Sequence, residues 1–264
     1  MWSWVVDARQ VLALFDRKIR QEPGVGAGAG TVVEREPGIV RVVSSHDGWH
    51  GVTWCDLHGL DADAVIAAQV QRFGQLGQPW EWKHYSYDRP ADLPERLLAA
   101  GFEPDPVEGL LFAEVAGLPL EVELPAGTRL EPVTGAAGID LVVAVHDEVF
   151  GGDHSRIGED LAARLADRPG EIAAAVVMAG DRPICAGRIE FHGGTGFASL
   201  WGGGTVEDWR GRGVFRALVA HRAALAAAAG YRYLQVDASA DSRPILRRLG
   251  FQQLATTTPF VRNP

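Results

Sequence analysis

Apolar positions along the first half of the chain change period several times. Val5, Val6, Val11, Leu12, Leu14, Phe15 and Ile19 recur near helical spacing, and Gln21-Glu22-Pro23-Gly24 stops the run, so a helix is predicted over residues 4–20. Residues 25–30 are rich in Gly and Ala. No Gly-Lys-Ser/Thr follows them and no helical pattern opens after them, so they read as a flexible connector and not as a phosphate cradle. Residues 31–36, 39–45 and 51–57 read as strands punctuated by Pro37-Gly38 and Asp47-Gly48, which predicts an antiparallel meander. Helical spacing returns over residues 61–75 through Ala62, Val65, Ile66, Val70 and Phe73, with Asp61 placed to cap the helix. A strand over 80–87, a short helix over 94–100 ended by Gly101, and a strand over 110–115 complete the half.

The second half repeats this order. It predicts a strand over 128–133, helices over 139–150 and 159–166, and a three-strand meander at 171–178, 184–191 and 197–205. A long helix over 213–229, a strand over 233–237, a short helix over 243–248 and end strands over 251–261 follow. Residues 117–127 form a linker in which 120–124 are apolar enough to extend a strand. Leu97-Leu98-Ala99-Ala100-Gly101-Phe102 matches Leu246-Arg247-Arg248-Leu249-Gly250-Phe251 at the same point in the element order, as a duplicated domain would.

A length of 264 residues suits two small domains. At 47% hydrophobic and 22% charged, with no apolar run approaching the roughly 18 residues that span a bilayer, the chain reads as soluble and globular. Met1-Trp2-Ser3-Trp4-Val5-Val6-Asp7 lacks the features of a signal peptide, so a cytoplasmic location is expected. The formal charge of −9 argues against a nucleic-acid surface, and Arg243, Arg247 and Arg248 read as a solvated helix face. Cys55 and Cys185 are too few and too distant for a zinc cluster or disulfide framework; both read as buried small hydrophobes, and no metal is expected. Trp49, Trp54, Trp80, Trp82, Trp201 and Trp209 read mainly as core, with an aromatic acceptor pocket as the alternative.

The segment Leu200-Trp201-Gly202-Gly203-Gly204-Thr205-Val206-Glu207-Asp208-Trp209-Arg210-Gly211-Arg212-Gly213-Val214-Phe215-Arg216 carries the chemistry. A strand runs into a turn of Arg and Gly, from which a long helix opens. Unpaired N–H groups of a first helical turn, with about half a positive charge from the helix dipole, suit a pyrophosphate. Gly211 and Gly213 permit close approach and positive φ, while Arg210 and Arg212 add charge or point to water. The spacing is neither the dinucleotide fingerprint nor a Walker loop.

This segment resembles the GNAT superfamily of acetyl-CoA-dependent acetyltransferases, whose signature after the fourth strand is Gln/Arg-x-x-Gly-x-Gly/Ala. Arg210-Gly211-Arg212-Gly213-Val214-Phe215 fits it except at Phe215, where a small residue is usual. Leu249-Gly250-Phe251 fits a second family feature, but the family's Asn slot holds Ser239 and its Tyr slot holds Leu246, so the usual general acid is missing. The resemblance covers residues 128–261; over the first half it rests on element order and the Gly101-Phe102 echo, and His58-Gly59-Leu60 stands where the Arg/Gly turn would be.

The resemblance implies an α/β fold with a mixed sheet: two GNAT-like domains, each a mostly antiparallel twisted sheet flanked by helices. Residues 1–118 would be a degenerate copy and 119–264 the acyl-CoA-binding acetyltransferase domain. Gly203, Gly204 and Thr205 would meet the pantetheine arm, the backbone of Arg210, Gly211, Arg212, Gly213, Val214, Phe215 and Arg216 the pyrophosphate, and Ser239 would stand in for the Asn. Gly202, Gly203 and Gly204 either offer an N–H to the reacting carbonyl or form a bulge. Glu148, Asp153 and His154 fall in the acceptor region: His154 as a base, Glu148 or Asp153 as a counter-charge to a cationic acceptor. Alternatively, Asp153 caps the next helix and His154 is exposed on it. The implied activity is N-acetyl transfer from acetyl-CoA (CoA) by direct attack of an amine of a small molecule or peptide, in a monomer or homodimer that engages neither nucleic acid nor membrane. The missing Tyr and Asn leave a non-catalytic acyl-CoA sensor or regulatory module as the alternative.

Overall fold

The structure is a computed structural model and describes residues 7–23, 31–44 and 49–264. The sequence readings for residues 1–6, the connector at 25–30 and the Asp47-Gly48 turn lie outside the described residues. The chain forms two compact units. One is Met1–Leu111 with Asp237–Arg243 and Gln253–Pro264, and the other is Phe112–Val236 with Pro244–Gln252.

In the first unit α1 (Ala8–Phe15) opens at Asp7, whose carboxylate accepts the N–H groups of Arg9 and Gln10, and runs into a π-helical turn over Asp16–Arg20. Strands β1 (Val32–Glu36), β2 (Ile39–Val43) and β3 (Gly51–Cys55) form the expected antiparallel meander. Helix α2 (Ala62–Gly74) then carries the chain back so that β4 (Trp80–Tyr85) pairs parallel to β3. Helix α3 (Leu93–Ala99), β5 (Glu103–Pro104) and β6 (Glu108–Glu114) follow, the last with residues 112–114 belonging to the second unit. The apolar stripe of α2 supplies Ile66 and Phe73 to a core shared with Trp80, Trp82 and Phe102, in which Phe73 stacks on Trp80 at 4.2 Å.

In the second unit β7 (Thr128–Pro132), helices α4 (Ala136–Phe150) and α5 (Ser155–Asp167), and strands β8 (Ile172–Ala179), β9 (Arg182–His192) and β10 (Phe197–Thr205) precede α6 (Val214–Ala228). Strand β11 (Tyr233–Ala238) and helix α7 (Arg243–Arg248) come next. The strand order is β11-β10-β9-β8-β7, antiparallel except for β10 with β11. Two apolar clusters sandwich this sheet's Val and Ala residues, one contributed by α4 and α5 and the other by the start of α6. Residues 120–124 form no strand. Pro119 and Pro125 flank them, and neither has an N–H to donate to a ladder.

The last strand is one long element, β12 (Gln252–Arg262), where the pattern suggested several; it lies between β4 and β6 and also pairs with β5. Each unit thus runs three meander strands, a helix, a parallel strand and a short helix. The sequence echo has a structural counterpart in the two short helices. Gly101 and Gly250 both take positive φ, the Phe102 N–H donates to the Leu97 carbonyl at 3.1 Å, and the Phe251 N–H donates to the Leu246 carbonyl at 3.1 Å. This is the same glycine-ended helix stop in both places, with the apolar pair buried.

Candidate functional site

Strand β10 is regular where it meets β11 and irregular beyond. The parallel pairing covers Phe197 with Tyr233 through Ser199 with Gln235, and residues 200–205 run on without a β11 partner. On the other side the ladder with β9 breaks between Trp201–Arg188 and Gly204–Ala186, a β-bulge in which Gly202 sits at φ +56°. The three glycines let two helices press on the bare backbone. A Cβ on Gly202 would lie 2.7 Å from the His146 ring, one on Gly203 3.0 Å from the Phe215 ring, and one on Gly204 2.8 Å from Val149.

The carbonyls freed by the bulge are met from both sides. His146 Nε2, on α4, lies 2.8 Å from the Gly202 oxygen. Arg222, on α6, reaches the Trp201 and Arg188 carbonyls at 3.4 and 3.2 Å and the Leu218 carbonyl at 3.3 Å. Arg222 is 2% exposed, and among the described residues the titratable groups acting on it are Cys185 and Arg188, with no carboxylate. Burial lowers its pKa to about 10, so it remains a cation at neutral pH.

Beyond β10 a short 3-10 turn over Glu207–Trp209 leads to Arg210, Gly211 and Arg212, and Gly213 at φ +88° is the residue from which α6 opens. Gly211 is also left-handed, at φ +73°. No side chain caps the first turn of α6, and Val214 is buried beneath it, so the leading N–H groups of the helix are left to a ligand or water. Arg210 Nε donates to the Thr205 carbonyl at 3.1 Å and thereby braces the turn; Arg212 lies over the Trp209 ring at 4.9 Å. Arg216 is exposed, with its guanidinium close to Gly213. Thr205 turns its hydroxyl inward to Cys185 Sγ, and Phe215 lies against Gly203. Ser239 bonds Ser242, in a segment that groups with the first unit.

The residues named for the acceptor divide. Glu148 accepts from Arg182 at 2.7 Å on the surface, and Arg182 also binds Asp208. Asp153 accepts the Ser155 N–H at 2.8 Å, which holds its carboxyl below the usual range. His154 is partly buried at the N-cap of α5; its N–H and Nδ1 both meet Asp147 Oδ1, and its ring packs against His146 and Phe150. Sequence reading missed His146, because a His on the apolar face of a helix looks like core. Leu246, expected from the resemblance to stand at the Tyr position, is 1% exposed and offers no proton.

Helix α2 of the first unit begins differently. Gly59 takes φ +78° before it, but Asp61 caps it by accepting the Ala64 N–H, so a carboxylate already occupies the start of that helix. Both cysteines are buried and free. Among the described residues no helix is long and apolar enough to cross a membrane, and no group of His, Cys, Asp and Glu is arranged to hold a metal.

No protein-family model matches the sequence, and no curated protein matches it. Solved structures do. A GCN5-related N-acetyltransferase from Kribbella flavida matches with a TM-score of 0.70 at 18% identity, covering 99% of this chain and 97% of that one. One from Sphaerobacter thermophilus gives 0.59 at 13%, covering 97% and 92%. A tandem GNAT protein from the clavulanic acid biosynthesis pathway gives 0.60 at 13%, covering 97% and 94%. Matches of nearly full length to proteins of this kind, one of them a tandem protein, show that the chain has the fold of the GCN5-related N-acetyltransferases, with mixed α/β units repeated in tandem.

Proposed function

We propose that the second unit transfers an acyl group, acetyl foremost, from a CoA thioester to an amine of a small molecule or peptide. The observation that carries this reading is the uncapped start of α6. Two left-handed glycines, Gly211 and Gly213, lead into a helix whose first N–H groups no side chain takes, directly after a bulged strand lacking a β11 partner over residues 200–205. A diphosphate fits such a start, because it accepts several N–H bonds and sits favourably on the positive helix end. The backbone of residues 203–205 on the side without a β11 partner, apart from the Thr205 carbonyl that Arg210 takes, is then offered to the amides of an extended arm, as an added strand would use it.

When bound, the CoA thioester supplies an activated acyl carbon. The amine lone pair forms the new C–N bond, the C–S bond breaks with its electrons on sulfur, and the amine proton is passed on to the thiolate. The chain's residues serve two of these needs. Of the bulge residues, the N–H groups of Gly202 and Gly203 are assigned to charge developing on the acyl oxygen, since Gly204 pairs with Ala186 of β9. His154, with Nδ1–H held by Asp147, keeps Nε2 as the proton acceptor, and we assign it the base role in preference to Glu148 and Asp153, which are engaged by Arg182 and the Ser155 N–H. The first unit is assigned a supporting role, since Asp61 fills the corresponding helix start.

Amine-dependent release of free CoA from acetyl-CoA, followed across polyamines, amino sugars, aminoacyl compounds and peptide N-termini, tests this. Turnover with at least one class, abolished by Gly213→Glu, is expected. Release that never exceeds the amine-free rate would overturn the enzymatic reading.

A further inference from the structure

The contact between His146 and the β10 bulge does more than fill space. His146 is 2% exposed; its Nε2 lies 2.8 Å from the Gly202 carbonyl oxygen, and its buried Nδ1 has no hydrogen-bond partner. A carbonyl only accepts, so Nε2 carries the hydrogen, and the unpartnered Nδ1 keeps a lone pair, because a second N–H there would be buried unmet. The ring is therefore the neutral Nε2–H tautomer, an arrangement that burial also favours.

The consequence for the backbone follows from amide planarity. In a trans peptide the C=O of one residue and the N–H of the next point in opposite directions. Fixing the Gly202 carbonyl on His146 turns the Gly203 N–H away from α4. The preceding carbonyl, that of Trp201, is taken by Arg222 from α6, so consecutive peptide units are held by side chains from two helices. Gly202 is left-handed, at φ +56°, and a Cβ there would lie 2.7 Å from the imidazole, so ring and glycine require each other. A bulge of three glycines without such bonds has many conformations of similar energy and would present its N–H groups in none of them consistently.

We propose that His146 is a positioning residue for acyl transfer: its bond to the Gly202 carbonyl sets the Gly203 N–H in the direction that meets the acyl oxygen of the bound thioester. The inference rests on the acyl-transfer reading above. It assigns His146 no proton transfer, since its one free ring nitrogen is buried.

The test is the infrared carbonyl band of acetyl-CoA, isotope-labelled at that carbonyl, bound to wild type, His146→Phe and His146→Gln, with calorimetry on the same samples. A hydrogen bond to the acyl oxygen lowers the band. Wild type is expected to bind and to lower it; His146→Phe to bind equally well with the band returned toward its position in buffer; and His146→Gln, whose amide keeps an N–H in reach of Gly202, to restore the lowered band. In turnover, His146→Phe is expected to lower kcat on the order of 100-fold, the effect of losing one such donor, with KM for acetyl-CoA unchanged. A band equally lowered in His146→Phe would overturn the role of His146 and leave the acyl-transfer reading standing. Failure of wild type to bind acetyl-CoA would overturn both. Should His146→Phe not fold, His146→Asn, whose shorter amide falls away from Gly202, gives the same comparison.

Discussion

The carboxylate of Asp61 accepts the Ala64 N–H at 3.1 Å, so the first unit closes the start of α2 with its own negative charge. Helix α6 of the second unit opens from Gly213 with no side chain in that place. A bound diphosphate is excluded by the first arrangement through repulsion and occupied N–H groups, and favoured by the second. Asp61→Ala is expected to cost about 1 kcal/mol of stability in urea unfolding, the usual loss on removing a cap, and to leave acetyl-CoA affinity and stoichiometry unchanged. A second equivalent of ligand bound by that variant would show that only the cap had kept the first unit from binding.

Gly203 accommodates the Phe215 ring: a Cβ on Gly203 would lie 3.0 Å from Phe215 Cε2 and 3.2 Å from Arg222 Nη2. Gly203→Ala is expected to destabilise by about 1–3 kcal/mol, as overpacking does. Adding Phe215→Leu should recover part of that loss, so the double variant should be more stable than the two single effects sum to. Strict additivity would show that Phe215 does not confine Gly203.

In the first unit Arg20 meets Asp88 through two bonds at 2.8 and 2.9 Å, with both side chains only 2% exposed. Removing Arg20 strands the buried Asp88 carboxylate, whereas removing Asp88 leaves Arg20 paired with Asp16 at 2.8 Å. Arg20→Met is expected to cost on the order of 3–5 kcal/mol, Asp88→Leu less because Asp16 still meets Arg20, and the double variant less than their sum. Urea denaturation of the four proteins measures the cycle; a double variant as damaged as the sum would contradict it.

His84 carries a pH dependence. Burial, aided by the Arg20 charge, lowers its pKa from 6.5 to about 4. Its folded pKa lies below its unfolded one, so the unfolded chain binds the proton first. The stability that depends on a neutral His84 is complete above pH 6.5 and is lost as pH falls from 6.5 toward about 4. His84→Gln should flatten the stability profile of the first unit across that window. A profile unchanged by the substitution would show that His84 does not govern it.

How legible this was in the sequence differs by feature. The turn at Arg210-Gly211-Arg212-Gly213 stood out because left-handed glycines and a helix start leave a local signature. The strand-to-helix order of both units followed from periodicity, and Leu97 to Phe102 signalled the repeat because the same helix stop needs the same Gly and the same apolar pair. The partners of β12 were not legible, since the alternation of Gln252–Arg262 specifies a strand and not which strand it joins. Gly202, Gly203 and Gly204 hinted at a bulge, but His146 and Arg222, which brace it, lie 56 and 21 residues from the carbonyls they hold. Contacts of that range leave no local periodic trace.

The most direct test of the central claim is calorimetric titration of acetyl-CoA into the wild type and into the variant carrying Gly211→Glu and Gly213→Glu, with circular dichroism on both. A single binding event in the wild type that disappears in a variant of unchanged fold is the predicted result. Equal affinity in both proteins, or no binding to the wild type, would contradict the assignment of the α6 start as the acyl-CoA site.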